Sequence, residues 1–141
     1  MRTMSEAPTY EISFYFRKIL VPVDGSENSL KALEFAIDLA RHYGSKIIVV
    51  YAKPKGDLRG DPFERVKLRV AKEGMDIQYK LIEYDPSSSN TPSVLVREVI
   101  EGGYDAVVVG ARGLSLSTEI PIGSTALSLV INSPVSVFIV R

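Results

Sequence analysis

Four apolar segments of the chain predict buried β-strands. Each is dense in β-branched residues and is bounded by turn or helix signals: Lys18–Asp24, Lys46–Ala52, Tyr104–Gly110 and Val135–Val140. Continuous apolar runs of this length are typical of strands buried on both faces, as in a parallel sheet that helices cover. The segment Ile77–Tyr84 instead alternates apolar with polar positions at its start, which predicts a half-exposed edge strand.

Four segments between these strands predict helices, because apolar residues recur in them every three or four positions. The first presents Leu30, Leu33 and Ile37 on one face and ends at Gly44. Capping residues, proline or glycine mark the starts of the other three, at Asp61–Pro62, Thr91–Pro92 and Gly123–Ser124. Alternating strands and helices predict an α/β protein with a single doubly wound parallel sheet and helices on both faces.

Composition narrows the class of function. The 141 residues include 17 basic and 17 acidic side chains, one histidine and no cysteine. Balanced charge argues against nucleic acid or an anionic membrane as a partner, and the lack of cysteine excludes thiol catalysis. With His42 alone, a multi-histidine metal site or a serine–histidine hydrolase is not expected. The sequence shows neither a membrane-spanning apolar run nor a signal peptide, so we expect a cytoplasmic protein.

The most informative stretch lies at the carboxyl end of the predicted strand Tyr104–Gly110. Ligands of open α/β sheets bind at the carboxyl ends of the strands. The stretch runs Gly110-Ala-Arg-Gly113 and, nine residues later, Gly123-Ser124-Thr125. Glycine permits positive φ and close approach of the backbone to a ligand, and free amides at a helix N-terminus favour an anion. We therefore predict a clamp for a polyphosphate, formed by two amide clusters at the two ends of one loop. The alternative interpretation is a β-turn followed by an ordinary helix start.

The spacing glycine-x2-glycine-x9-glycine-serine resembles the nucleotide-binding motif of universal stress proteins. Lys18–Ser26 (KILVPVDGS) and the ending SPVSVFIVR are similar to that family's first and last strands. The resemblance covers roughly residues 17–141, which we expect to form a nucleotide-binding domain after an N-terminal extension, residues 1–16. It implies the strand order 3-2-1-4-5 and an ATP-binding stress-response regulatory protein, a nucleotide-dependent switch with slow or no hydrolysis.

The resemblance also implies a pose for the nucleotide. Adenine is expected near Val23 and against Ala52, while Asp24 faces the ribose or an Mg²⁺ or Mn²⁺ ion on the phosphates. No catalytic residue is expected, because no general base is evident apart from Asp24, which is expected to bind the nucleotide. From base to phosphates, the residues expected to bind the nucleotide are Pro22, Val23, Asp24, Ala52, Gly110, Arg112, Gly113, Gly123, Ser124 and Thr125.

The last predicted strand indicates how the chain assembles. In a sheet of this order the third and fifth strands are both edges; Gln78 and Lys80 protect the third, whereas the fifth is almost wholly apolar. Pairing that edge with its own copy removes the exposure, so we expect a homodimer through Ser136–Val140. The downstream protein partner is not indicated.

Two other functions are compatible with an α/β chain of this length. The first is a nucleotide-free dimeric adaptor of the same fold, against which the intact glycine motif argues. The second is an adenylating ATP pyrophosphatase, which needs a serine-glycine-glycine loop after its first strand. This chain has Asp24-Gly25-Ser26-Glu27 at that place, so we do not expect that enzyme.

Overall fold

Five parallel strands connected by four helices make up the described part of the chain. The computed structural model describes residues 16–75, 77–112 and 122–141. In chain order the strands are β1 (Lys18–Pro22), β2 (Lys46–Pro54), β3 (Ile77–Tyr84), β4 (Ala106–Gly110) and β5 (Ser136–Val140). The helices are α1 (Glu27–Tyr43), α2 (Phe63–Val70), α3 (Thr91–Gly102) and α4 (Ser124–Asn132). The strands form one sheet in the order β3-β2-β1-β4-β5, which confirms the predicted class and order.

The sheet has a core on each of its faces, because successive side chains of a strand point in opposite directions. Ile19 and Val21 of β1 pack under α1 and α2, whereas Leu20 between them packs under α3 and α4. All three side chains are fully buried. Leu30 and Leu33 of α1 belong to the first core, as their spacing predicts.

Local signals set the helix ends. Ser26 Oγ accepts the Ser29 N–H at 3.2 Å and caps α1, and Gly44, with φ +71°, ends it. The Phe63 N–H donates to Asp61 Oδ1 at 2.9 Å where α2 starts. That helix ends at Val70 rather than at Gly74 as predicted, because the Glu73 N–H turns back to the Val70 carbonyl at 2.9 Å.

The burial of the strands follows their place in the sheet. β1, β2 and β4 are largely buried on both faces, and β3 alternates half-buried with exposed positions over much of its length, as predicted. We also predicted β5 to be buried on both faces. That prediction is wrong, because the residues of β5 are half-buried or exposed. β5 lies at the edge of the sheet, where neighbouring elements cover less of each side chain.

Phe16 is the first residue that the structure describes. Residues 1–15 are outside the described part of the chain. The Phe16 ring, which we assigned to the extension, lies 5.0 Å from the Tyr43 ring and 6.2 Å from the Phe138 ring, measured between centroids. Phe16 therefore packs with the domain. No helix among the described residues is long and apolar enough to cross a membrane.

Candidate functional site

The carboxyl ends of β1, β2 and β4 border a cavity of about 430 Å³. This volume lies in the range of small-molecule pockets, roughly 300–1,000 Å³. β1 pairs with β2 on one side and with β4 on the other, so the chain order reverses here, which is where α/β sheets bind ligands. Gly113 lies outside the described residues. The other predicted binding residues all line the cavity: Pro22, Val23, Asp24, Ala52, Gly110, Arg112, Gly123, Ser124 and Thr125.

The β1–α1 loop brings one carboxylate to the cavity. Asp24 Oδ1 accepts the Ser26 N–H at 2.9 Å across a tight turn, in which Gly25 has φ +88°. Ser26, and not Asp24, caps α1. Asp24 therefore presents its second carboxylate oxygen free of that turn, on a side chain that lines the cavity.

Gly110 allows α1 to approach β4 closely. A Cβ atom added at Gly110 would lie 2.6 Å from Asn28 Oδ1 and 2.9 Å from the Asn28 carbonyl oxygen. Gly110 is not among the described glycines with positive φ. Its backbone conformation is therefore open to any residue, and the freedom of glycine to adopt positive φ is not used here. The contact with Asn28 is what requires glycine here.

Asn28 holds the start of the glycine loop, a role that sequence reasoning missed. Its Oδ1 accepts the Arg112 N–H at 2.6 Å, and its Nδ2 donates to the Val140 carbonyl at 3.2 Å. The Ala111 N–H donates to the same carbonyl at 2.7 Å. One side chain thus ties α1 to the ends of β4 and β5. Its partners lie 84 and 112 positions away, so no local pattern points to them.

The two ends of the glycine loop are joined by their backbones. The Gly123 N–H donates to the Ala111 carbonyl at 2.6 Å. Our expectation of a free amide at Gly123 is therefore wrong, since closing the loop uses that amide. The helical ladder of α4 starts with the Leu127 N–H on the Gly123 carbonyl at 2.9 Å. The amides of Ser124, Thr125 and Ala126 precede that first bond and are the ones left for an anion.

The N-terminus of α4 is electrostatically suited to an anion. Its N-cap, Gly123, provides no side chain to cap the amides, and the first turn carries no acidic residue. The partial positive charge of the helix N-terminus is therefore open toward the cavity, which Ser124 and Thr125 line.

The opposite end of the cavity has an apolar wall. Val23 and Ala52 are 4% and 7% exposed, and Leu95 of α3, which is 2% exposed, lines the same cavity. Thr91, whose Oγ1 is 2.7 Å from the Tyr84 hydroxyl, completes this side. A flat apolar or aromatic group fits such a wall, while a charged group would lose its hydration there.

The universal stress protein family model matches residues 15–80 and 67–141 of the chain. The chain belongs to the universal stress protein family. This universal stress protein is 29% identical over 136 residues to one from Thermus aquaticus, and the match covers 89% of this chain and 99% of that relative.

Solved universal stress proteins share the fold. One from Archaeoglobus fulgidus in complex with dAMP has a TM-score of 0.69 at 23% identity, covering 90% of this chain and 99% of that one. Another, in complex with cAMP, has a TM-score of 0.68 at 22% identity, covering 90% and 98%. At these identities the likeness concerns the fold alone.

The described residues of this universal stress protein offer little for a metal ion. They contain no group of three histidine, cysteine, aspartate or glutamate side chains placed to hold one. Asp24 is the single carboxylate among the residues that line the cavity. An ion at this place would need most of its oxygen ligands from a bound phosphate chain and from water.

Several lining residues of this universal stress protein were not predicted from sequence. Leu95 has the spacing of a core residue of α3, and Arg59 belongs to a loop without any recognisable motif. Nothing in their sequence neighbourhood separates a cavity wall from ordinary packing or solvent. The lining residues missed are Ser29, Tyr51, Arg59, Thr91, Leu95, Val109, Ala111 and Ala126.

Proposed function

We propose that this universal stress protein binds an adenine nucleotide, ATP in particular, and acts as a nucleotide-dependent switch in a stress response. The observation that carries the proposal is a cavity with an apolar wall at one end and an uncapped helix N-terminus at the other. A base fits the first and a phosphate chain fits the second. The solved relatives in complex with dAMP and cAMP support an adenine nucleotide as the ligand class.

Both ends of the cavity are needed for useful affinity. A helix N-terminus stabilises an anion by about 0.3–1 kcal/mol, or about 2 kcal/mol when it is partly buried. A micromolar dissociation constant requires about 8 kcal/mol. Phosphate contacts alone fall short, so burial of the base against Val23 and Ala52 supplies much of the difference.

The same residues favour binding over hydrolysis. We expect Asp24, which lines the cavity, to contact the ribose, or an Mg²⁺ or Mn²⁺ ion that is held by the phosphates and neutralises part of their charge. Hydrolysis would need a general base to activate water, and Asp24 is the one carboxylate among the described lining residues. We propose slow turnover at most, with the bound nucleotide rather than the reaction as the signal.

Replacing Ser124 by proline tests the phosphate end. Proline lacks the amide N–H but is tolerated in a first helical turn, and Gly123, at φ −73° and ψ 162°, has the extended conformation favoured before proline. We expect Ser124→Pro to weaken ATP binding about 3- to 30-fold, since one amide donor is lost. Ser124→Ala, which removes the hydroxyl alone, should lose less. Calorimetric titration with ATP and Mg²⁺ measures both.

The controls separate three outcomes. Thermal melting of Ser124→Pro must match the wild type, which shows that α4 still forms. Wild-type affinity in Ser124→Pro would contradict the phosphate site at α4. A wild-type protein that neither binds ATP nor purifies with a nucleotide would contradict the whole proposal and favour the nucleotide-free adaptor.

We also propose that the protein is a homodimer through Ser136–Val140. β5 pairs with β4 along one edge, and in the described residues no strand covers its other edge. Ile139 is 36% exposed, and the preceding helix α4 exposes Leu127, Val130 and Ile131. An apolar edge of this kind promotes association, and a two-fold axis lets it pair with its own copy.

Ile139→Lys tests this dimer. A charge on the paired edge is expected to convert a dimer at micromolar concentration into a monomer, as measured by light scattering coupled to gel filtration. Leu68→Lys is the matched control, because Leu68 is 79% exposed on α2 and lies outside β5 and α4. A wild-type monomer, or an Ile139→Lys dimer, would contradict the proposal.

A further inference from the structure

Arg59 reaches the cavity from the loop between β2 and α2. It is the one cation besides Arg112 among the described lining residues. The loop around it forms hydrogen bonds within itself: the Asp57 N–H donates to the Pro54 carbonyl at 3.2 Å, and the Arg59 N–H donates to Asp57 Oδ1 at 2.9 Å. Gly56, at φ +86°, makes the turn that these bonds close.

Asp57 also holds the guanidinium group of Arg59. Asp57 Oδ2 accepts from Arg59 Nε at 2.8 Å and from Nη2. The Asp57 side chain is 11% exposed, whereas that of Arg59 is 58% exposed. Hydrogen bonds from Arg59 lower the pKa of Asp57, so the carboxylate stays charged at neutral pH. The pair thus fixes the plane of the guanidinium and leaves its other N–H groups and its faces unused.

The loop places Arg59 at the base end of the cavity. Arg59 follows β2, which carries Ala52, while Arg112 follows β4; β1 lies between these two strands. Neighbouring strands are about 4.8 Å apart, so the two strand ends are separated by about 10 Å. Tyr51, which precedes Ala52 in β2, also feels the positive charge of Arg59.

We propose that Arg59, held in place by Asp57, covers the purine base of the bound nucleotide and is a specificity-determining residue of this site. The inference rests on the proposed nucleotide binding and adds a recognition element from a loop. A guanidinium plane stacks on an aromatic ring, and its remaining N–H groups can donate to the acceptor nitrogens of a purine. The apolar wall at Val23 and Ala52 provides the opposite face of the slot.

Replacing Arg59 is expected to change the affinity for ligands that contain the base and not the affinity for ligands that lack it. Arg59→Ala is expected to weaken binding of ATP and of AMP by the same factor, about five- to tenfold, since both contain adenine. Binding of inorganic tripolyphosphate should be unchanged. Arg59→Lys should resemble Arg59→Ala, because lysine keeps the charge but not the planar group. Asp57→Asn should weaken both nucleotides by a smaller factor, since the guanidinium loses its charged partner.

Calorimetric titration of the full chain with ATP, AMP and tripolyphosphate tests the proposal. Arg97→Ala is the matched control, because Arg97 lies exposed on α3 and outside the cavity lining. Unchanged nucleotide affinity in Arg59→Ala, full affinity in Arg59→Lys, or a larger loss for ATP than for AMP would each overturn the role at the base. A wild-type protein that binds no nucleotide would contradict the proposed function itself. The three outcomes for the Arg59 variants would contradict the role of Arg59 and leave the proposed function intact.

Discussion

Ala52→Trp is expected to abolish ATP binding and to leave the domain folded. Ala52 ends the buried part of β2 and contributes its methyl group to the apolar wall of the cavity. An indole ring at this position would occupy the space assigned to adenine, because the cavity of about 430 Å³ can accept it without displacing the core. Calorimetric titration with ATP and Mg²⁺ should show no heat of binding, and thermal melting should remain cooperative.

A tryptophan elsewhere is the control for this variant. Ala71 is exposed at the end of α2 and does not line the cavity, so Ala71→Trp should bind ATP as the wild type does. An unchanged dissociation constant in a folded Ala52→Trp protein would contradict the adenine pose. Loss of the melting transition in Ala52→Trp would contradict the reasoning that the cavity accommodates the ring.

Gly110→Ala is expected to lower the free energy of unfolding by about 2–3 kcal/mol, the upper part of the range for overpacked sites. The new Cβ atom would lie 2.6 Å from Asn28 Oδ1 and 2.9 Å from the Asn28 carbonyl oxygen. The carbonyl belongs to the first turn of α1 and cannot move away without shifting the helix. Because Asn28 also holds the Arg112 amide, ATP binding should weaken as well. Urea unfolding and titration measure the two effects.

Two comparisons identify the cause of that loss. Gly60→Ala is the matched control, since a Cβ atom there has no neighbour within 4 Å and the glycine is not in the left-handed region; its stability should stay close to that of the wild type. The stability losses of Gly110→Ala and Asn28→Ala should add to less than their sum in the double variant, because the side-chain clash is absent without Asn28 and the carbonyl clash remains. Full stability in Gly110→Ala would contradict close packing as the role of this glycine.

The prediction of the fold from sequence succeeded where the signals were local. Apolar runs identified the strands, and Gly44 marked the end of α1. The alternation at the start of β3 predicted an exposed edge, because the side-chain period of a strand is two whatever surrounds it. The boundary of α2 was less accurate, since the same turn residues are compatible with a helix that stops one turn earlier.

The prediction of the site was accurate in the placement of the predicted residues that the structure describes, but it missed other lining residues and the roles of several residues. The predicted residues that the structure describes line one cavity. However, Gly110 serves helix packing, and the amide of Gly123 closes the loop instead of facing a ligand. Asn28 and Arg59 escaped prediction because their partners or their cavity position depend on elements that are remote in sequence.

The sequence by itself determined the alternation of strands and helices and the stretch that follows β4, because these depend on residue periodicity and on the backbone freedom of glycine. Only the tertiary structure decided which amides remain free at α4, which side chain ties the ends of β4 and β5, and how far β5 is exposed. Those properties arise from contacts between segments that meet once the sheet has formed. Their geometry is set by packing and register, which no short stretch of the chain encodes alone.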